Sequence, residues 1–428
     1  DLFSNILNIA FLLTAAATII IAIFARPLVT SQLGIAPGFT EAQTVDTIRL
    51  LRLNLISTLI FSLSGLAMAG LQANQHFLLP ALAPILYDVG QIFGALVLAP
   101  TEPLKFGPVR LPAFGFGVDG LVYGVIIGAL LHLLIQVPGL IKYQFRWHPR
   151  VDFKESYTRK VLRLMGPRVV SMLFIQLIFL AQDNLGSRLS EGSVSALTYG
   201  WWIMQVPQTL IGTSIATAIL PTLSEMFSNQ QFELLKERIE RAARVMITLT
   251  VPVAIVAGMV LLPVVRLFLG LDEAGTLRVA NTSQIFLLGI VGHSLVELFV
   301  RSFYALQKPR VPLIGSAFTL VVFILLGIVL SPMLEAVGIA AANTIAYTLQ
   351  TLLLLILLRK TLPEPLRLGK TTLKSLLAAA LGGAAAYAVV NWAPKLAGSL
   401  IGAVAAFGVG ILLAALILRK DLREIADL

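Results

Sequence analysis

The 428-residue sequence contains no cysteine, which excludes disulfides, thiolate metal sites and cysteine nucleophiles and leaves the compartment open. Charge is scarce as well: only 13% of residues are charged, against about a quarter in a soluble domain. Water is therefore not the main solvent of this chain. Histidine is limited to His76, His132, His148 and His293, too dispersed for a metal-ligand spacing, and no GxxxxGK phosphate loop occurs. These absences argue against a nucleotide-driven pump. No cluster of acids or histidines gathers at one membrane face, as a membrane-embedded glycosyl- or acyltransferase would require. No catalytic residue, metal site or cofactor is expected.

What the sequence has in abundance is apolar length. Hydrophobic residues make up 57% of the chain and mean hydropathy is +0.89, with apolar runs of roughly 20 residues along nearly the whole length, as a membrane-spanning helix requires. The runs lack the alternation of a barrel strand, and only helices then satisfy the backbone inside hydrocarbon. The expected fold is all-α and polytopic, with about twelve spans: 5–25, 53–72, 80–100, 117–140, 164–187, 195–222, 245–270, 283–305, 312–331, 334–358, 372–392 and 397–418. The net charge of +10 is explained by membrane topology rather than nucleic-acid binding, because Lys and Arg collect in alternate loops. One set carries Lys142, Arg146, Arg150, Lys154, Arg159, Lys160 and Arg163, then Lys236, Arg238, Arg241 and Arg244, then Lys308 and Arg310, and further basic groups from Arg359 to Lys374 and in the tail. The opposite set has little beyond Arg188, Arg278 and Lys395 in the later half. Both ends of the chain are thus expected on the cytoplasmic side. Because the sequence opens at Asp1 and runs into a span almost at once, it reads as an N-terminally truncated copy. Residues 142–163 read as a basic linker between two bundles, and Gln230 to Val245 as a short amphipathic surface helix.

Ionisable and polar groups inside spans are costly and default to functional candidates. His293, Glu297 and Arg301 are four apart and share one helical face, with acid and base close enough to pair. They form either a polar stripe facing a water-filled cavity or a structural ion pair with Arg301 snorkelling to the interface. Asp88 and Gln91 interrupt another span, and Asp88 has no basic neighbour on its own helix, so it must find a partner across the bundle, stay protonated or sit in water, with a cavity role expected. Gln176 and the run Gln182, Asp183, Asn184 are expected to face inward, by interhelical hydrogen bonding in the plainer account. Trp201, Trp202 and Gln205 lie near the extracytoplasmic boundary, where a tryptophan pair forms either an interfacial belt or a binding platform. Arg52 and Arg168 sit near span ends and are expected to snorkel. The turns GLQANQHFLLPALAP (70–84) and FYALQKPRVPLIGSA (303–317) align with a shift of 232, matching Ala73 with Ala305, Gln75 with Gln307 and Pro80 with Pro312. This faint repeat suits the two-bundle construction of carriers.

Several segments carry a resemblance that covers essentially the whole chain in order. GLQANQHFLLPALAPILYDVG, LMGPRVVSMLFIQLIF, GSVSALTYGWWIMQVPQTLIGTSIATAILPTLSEMF and FYALQKPRVP resemble the MurJ/MviN family of lipid II flippases, within the multidrug/oligosaccharidyl-lipid/polysaccharide exporter superfamily. The resemblance implies two six-helix lobes around a central cavity, with the family's first two of fourteen spans missing here. Residues 1–141 would then be the remainder of the N-terminal lobe, 164–358 the C-terminal lobe, and 372–418 an added helix pair forming a groove for a lipid tail. It further implies a bacterial inner-membrane carrier that moves undecaprenyl-linked peptidoglycan precursor from the cytoplasmic to the periplasmic leaflet for cell-wall synthesis. Its partners would be the lipid-linked substrate and membrane lipids, its state monomeric, and its coupling to the membrane potential or an ion gradient. The sequence departs from the family at Trp201 and Trp202, where an Asp-Arg pair is common, at Gln205, often an acid there, and at Lys308-Pro309, where Asp-Thr is usual. Arg301 would then supply the positive charge a pyrophosphate headgroup needs. The alternative is a divergent exporter of another polyprenyl-linked glycan or an amphiphilic small molecule.

Overall fold

The computed structural model describes residues 2–106, 109–392 and 400–422. Its helices in chain order are α1 (Leu2–Ile23), α2 (Ala25–Thr30), α3 (Glu41–Ala73), α4 (Leu78–Phe93), α5 (Val118–Leu134), α6 (Val137–Lys142), α7 (Ser156–Ser187), α8 (Ser193–Gln208), α9 (Ser214–Ser228), α10 (Phe232–Leu269), α11 (Glu273–Leu288), α12 (Ile290–Ala305), α13 (Arg310–Arg359), α14 (Gly369–Trp392) and α15 (Leu400–Leu422). A two-stranded hairpin of Lys105–Phe106 and Val109–Arg110 sits in the α4–α5 connection. Among the described residues, ten helices are long and apolar enough to cross a membrane, against the twelve spans expected. One of the ten is the 50-residue α13, which carries two expected spans and breaks at Glu335 (φ 51°, ψ −135°). The expected span 164–187 lies on α7, which is not among the ten. Lys395, Arg423 and residues 397–399 fall outside the described residues.

The chain divides into two compact units, Asp1–Val170 and Ser171–Leu428. In the first, α4 and α5 meet backbone to backbone through Gly90 and Gly94 on one helix and Gly120, Gly124 and Gly128 on the other. A Cβ added at Gly124 would stand 2.6 Å from the Gly94 Cα. Small residues four apart let two helices approach where hydrocarbon solvent offers no hydrophobic drive to pack them. A π-turn over Gly94–Leu98 ends α4, its Ala99 N–H donating to the Gly94 carbonyl at 2.9 Å.

In the second unit α12 is the central element. Phe299 and Phe303 on it are fully buried with Leu223, Leu235, Ile239 and Met246. A second cluster gathers Phe286, Phe323, Leu197 and Met204. The segment expected as a separate surface helix at Gln230–Val245 is instead the start of the continuous 38-residue α10. No glycine or proline lies between Phe232 and Val251 to stop the helix. Leu235, Ile239 and Ala243 are buried as the pattern requires, while Phe232 is exposed. Glu240, itself buried, binds Lys236 at 3.2 Å and Arg244 at 3.3 Å, and accepts the Arg367 N–H at 3.1 Å. This ties the loop before α14 to α10. The repeated turns share one backbone form: Gln75 and Gln307 both adopt positive φ (59° and 55°). In each the next N–H closes back on the helix, His76 to the Leu71 carbonyl at 3.0 Å and Lys308 to that of Phe303 at 2.9 Å. Gln144 and Gln230 close α6 and α9 in the same way.

Candidate functional site

The polar stripe of α12 separates into two environments. Glu297 and Arg301 form an ion pair one turn apart, and the other face of the guanidinium donates from Nη2 to the Thr217 hydroxyl of α9 at 3.1 Å. Both side chains keep partial exposure, 38% for Glu297 and 20% for Arg301. His293, one turn earlier, is buried. Its Nε2 lies 3.0 Å from the Asn343 Oδ1 of α13 and its ring stacks on Tyr347 at 3.7 Å, with Trp201 of α8 edge-on at 5.4 Å. With the Asn343 oxygen as acceptor, the proton sits on Nε2. The expected three-residue stripe is therefore an accessible acid–base pair next to a buried histidine that joins three helices. The reason is rotational drift: positions four apart advance 400° rather than a full turn, so the face turns by about 40° at each step.

The Trp201-Trp202 pair splits in the same way. Trp201, half-buried, packs edge-on to Phe179 at 5.2 Å and Phe286 at 6.0 Å, against the second core cluster. Trp202 is 58% exposed, and Gln205, three positions on, is exposed beside it. Gln176 on α7 is exposed. Gln182 is buried, Asp183 is half-buried, and Asn184 is half-buried with its side-chain oxygen accepting from Arg188 Nε at 3.3 Å. Asp88 belongs to the first unit, where it is exposed on α4 with half-buried Gln91 a turn away. Arg52 donates from Nε to the Ala22 carbonyl at 3.0 Å, capping the end of α1.

The structure thus brings Glu297, Arg301 and Thr217 together, and His293, Asn343, Tyr347 and Trp201 together. Sequence reasoning missed Thr217, Asn343 and Tyr347. Thr217 sits among other small polar residues of α9 (GTSIATA), and nothing in that pattern singles it out. Asn343, a lone amide inside an apolar run, carries the same signal that flagged Asp88. Chemically, a guanidinium with one face on a carboxylate and one on a hydroxyl can exchange either partner for a phosphate oxygen.

Comparison with known proteins bears on the same elements. The family model described as "Lipid II flippase MurJ" matches residues 1–403. A lipid II flippase MurJ of Burkholderia cenocepacia is 28% identical over 306 residues, 70% of this chain and 57% of that protein. A probable lipid II flippase MurJ of Rhizobium meliloti is 25% identical over 403 residues, 92% of this chain and 72% of that protein. The chain spans little more than half the length of the first of these. A solved structure titled "Lipid II flippase MurJ, inward closed conformation" superposes with a TM-score of 0.76 at 20% identity, covering 98% of this chain and 84% of that one, which establishes the shared fold. This multi-pass membrane chain belongs to the lipid II flippase MurJ family.

Proposed function

We propose that the protein translocates lipid II, the undecaprenyl-linked peptidoglycan precursor, from the cytoplasmic to the periplasmic leaflet of the bacterial inner membrane. It exposes its substrate site to one leaflet at a time and draws on the membrane potential or an ion gradient. Both ends of the chain lie on the cytoplasmic side, as the basic loops require. Residues 164–358 act as one lobe, 1–141 as the greater part of the other, and 142–163 connects them. The observation that carries the reading is the family match over residues 1–403, together with an accessible cation at Arg301 in the second unit. A pyrophosphate dianion cannot leave water without positive charge. Arg301 supplies it at small cost, because a partly exposed ion pair such as Glu297–Arg301 is worth only about 0–1 kcal/mol and gives way to the stronger charge-assisted bonds of a phosphate. Asp88, Gln176, Asn184, Trp202 and Gln205 are the further polar and aromatic groups the substrate meets.

A second reading is favoured by Trp202 and Gln205, both exposed and uncharged where an acid and a base are common in the family. They suit a less anionic cargo, such as another polyprenyl-linked glycan or an amphiphilic small molecule. Rescue separates the two. Cells depleted of their own lipid II flippase regain growth and shape when the gene encoding this chain is expressed. Normal membrane insertion without rescue would remove lipid II as the cargo and leave the second reading.

A further inference from the structure

The segment joining α6 to α7 is fixed by three polar side chains from the first turns of α1. Asn5, fully buried, donates to the Asp152 carbonyl at 2.9 Å and accepts the Asp152 N–H at 2.7 Å. Asn8 donates to the carbonyls of His148 (2.7 Å) and Arg150 (2.9 Å), and Ser4 donates to that of Arg146 at 3.3 Å. The Trp147 indole N–H donates to the Asn8 side-chain oxygen at 2.8 Å. With alternate carbonyls of 146–152 held against α1, the loop's side chains are turned outward. Arg146, Trp147, Val151, Phe153 and Lys154 are all exposed. Over residues 142–160 there are six Lys or Arg and two acids, and both acids are engaged within the segment or with α1. Asp152 accepts the Lys154 N–H at 2.8 Å and pairs with Arg150 at 3.1 Å, and Glu155 lies 3.0 Å from the Asn5 amide, which leaves the other five cations in excess. The surface left outside is basic and aromatic, and it hangs from the start of a 22-residue apolar helix, at the level where a span meets the headgroups.

We infer that this clamped loop is a docking surface for anionic phospholipid headgroups of the adjacent leaflet. Retention of Lys and Arg on one side of a membrane needs only charge. A loop whose backbone is pinned through Asn5 and Asn8, with tryptophan and phenylalanine projecting between the cations, has in addition lost its ordering entropy in advance of binding. Basic residues attract the phosphates, and the rings fill the boundary between headgroup and acyl chain. A nucleic acid shares the phosphate chemistry, but the position of the loop at a span end favours lipid. The inference does not depend on which cargo the protein carries.

The test uses the full chain reconstituted in phosphatidylcholine vesicles with increasing phosphatidylglycerol, the acyl chains brominated near the headgroup. The Trp147 signal is the difference between the parent and Trp147→Phe. Quenching of that signal rises with the phosphatidylglycerol fraction and is reversed by salt. The phosphatidylglycerol needed for half-maximal quenching rises about fivefold for each of Arg146→Gln and Lys154→Gln, the factor equivalent to about 1 kcal/mol per basic residue near an anionic leaflet. Asn5→Ala, which frees the loop and keeps every charge, also weakens it. Equal quenching in pure brominated phosphatidylcholine, or full affinity in the Asn5→Ala protein, would overturn the proposal. So would shielding of Trp147 from aqueous quencher by polyuridylate and not by phosphatidylglycerol.

Discussion

Replacing Gly124 with alanine puts one methyl group into the α4–α5 contact, and the structure fixes what it meets. The new Cβ would lie 2.6 Å from the Gly94 Cα, 2.9 Å from the Gly90 carbonyl oxygen and 3.0 Å from the Gly94 nitrogen. Optimal carbon contacts lie at about 3.5–4.0 Å, so the helices must part by roughly 1 Å. All three neighbours are backbone atoms and no side chain can rotate away. Overpacking of this kind costs about 1–3 kcal/mol. Gly65 on α3 is the matched control, since a Cβ there meets nothing within 4 Å. Alanine gains about 0.5–1 kcal/mol over glycine in a helix interior at either position. That gain cancels between the two variants, so Gly124→Ala should be less stable than Gly65→Ala by the packing term alone, about 1–3 kcal/mol. Denaturant or thermal unfolding of the purified chain in one detergent measures the difference. Equal stability of the two variants would refute the backbone-to-backbone contact.

Two further outcomes follow from the loops. Glu240→Gln removes the carboxylate shared by Lys236, Arg244 and the Arg367 N–H. Breaking a buried pair leaves uncompensated charge and costs about 3–5 kcal/mol, reduced here because Arg244 is 30% exposed. Faster proteolysis in 360–368 together with a lowered unfolding midpoint is expected, and an unchanged cleavage rate would contradict the tie. Asp152 is held below its ordinary value of 3.8, first by the Lys154 N–H and then by Arg150. A depressed carboxylate contributes stability that is complete above the unfolded value and lost as pH falls through the folded one. The part of the Trp147 pH response that Asp152→Asn abolishes should therefore fall below 3.8. A difference between the parent and Asp152→Asn that develops only above that value would refute the bond pattern.

The spans were legible because hydrocarbon forces a coarse signal: a run of about 20 apolar residues is nearly sufficient to specify a helix. Continuity was harder to read. The charged start of α10 looked like a surface helix because its polar face ends at Arg244, and hydropathy cannot see that the backbone runs on unbroken to Leu269. The kink at Glu335 is flanked by Pro332 and by Gly338, where an added Cβ would collide with the Leu330 carbonyl. It is held from outside by Ser190, whose hydroxyl donates to the carboxylate at 2.7 Å. At the site, spacing alone placed Glu297 and Arg301 in contact, since residues four apart on a helix face are neighbours. It could not assign His293 to the interior or set Trp201 against the core, because which side of a stripe is covered depends on helices far away in sequence: α13 for His293, and α7 and α11 for Trp201. The role of 142–160 was visible as charge, while the clamp that orders it involves Ser4, Asn5 and Asn8, some 140 residues earlier.

Arg301 is the point on which the account of transport turns, and flippase-depleted cells expressing variants of this protein test it most directly. Arg301→Gln and Glu297→Gln, inserted at parental levels, should lose rescue, whereas Lys370→Gln, at an exposed position on α14, should keep it. Rescue by all three alike would reduce the Glu297–Arg301 pair to a structural bond and remove the cation on which the substrate reading rests.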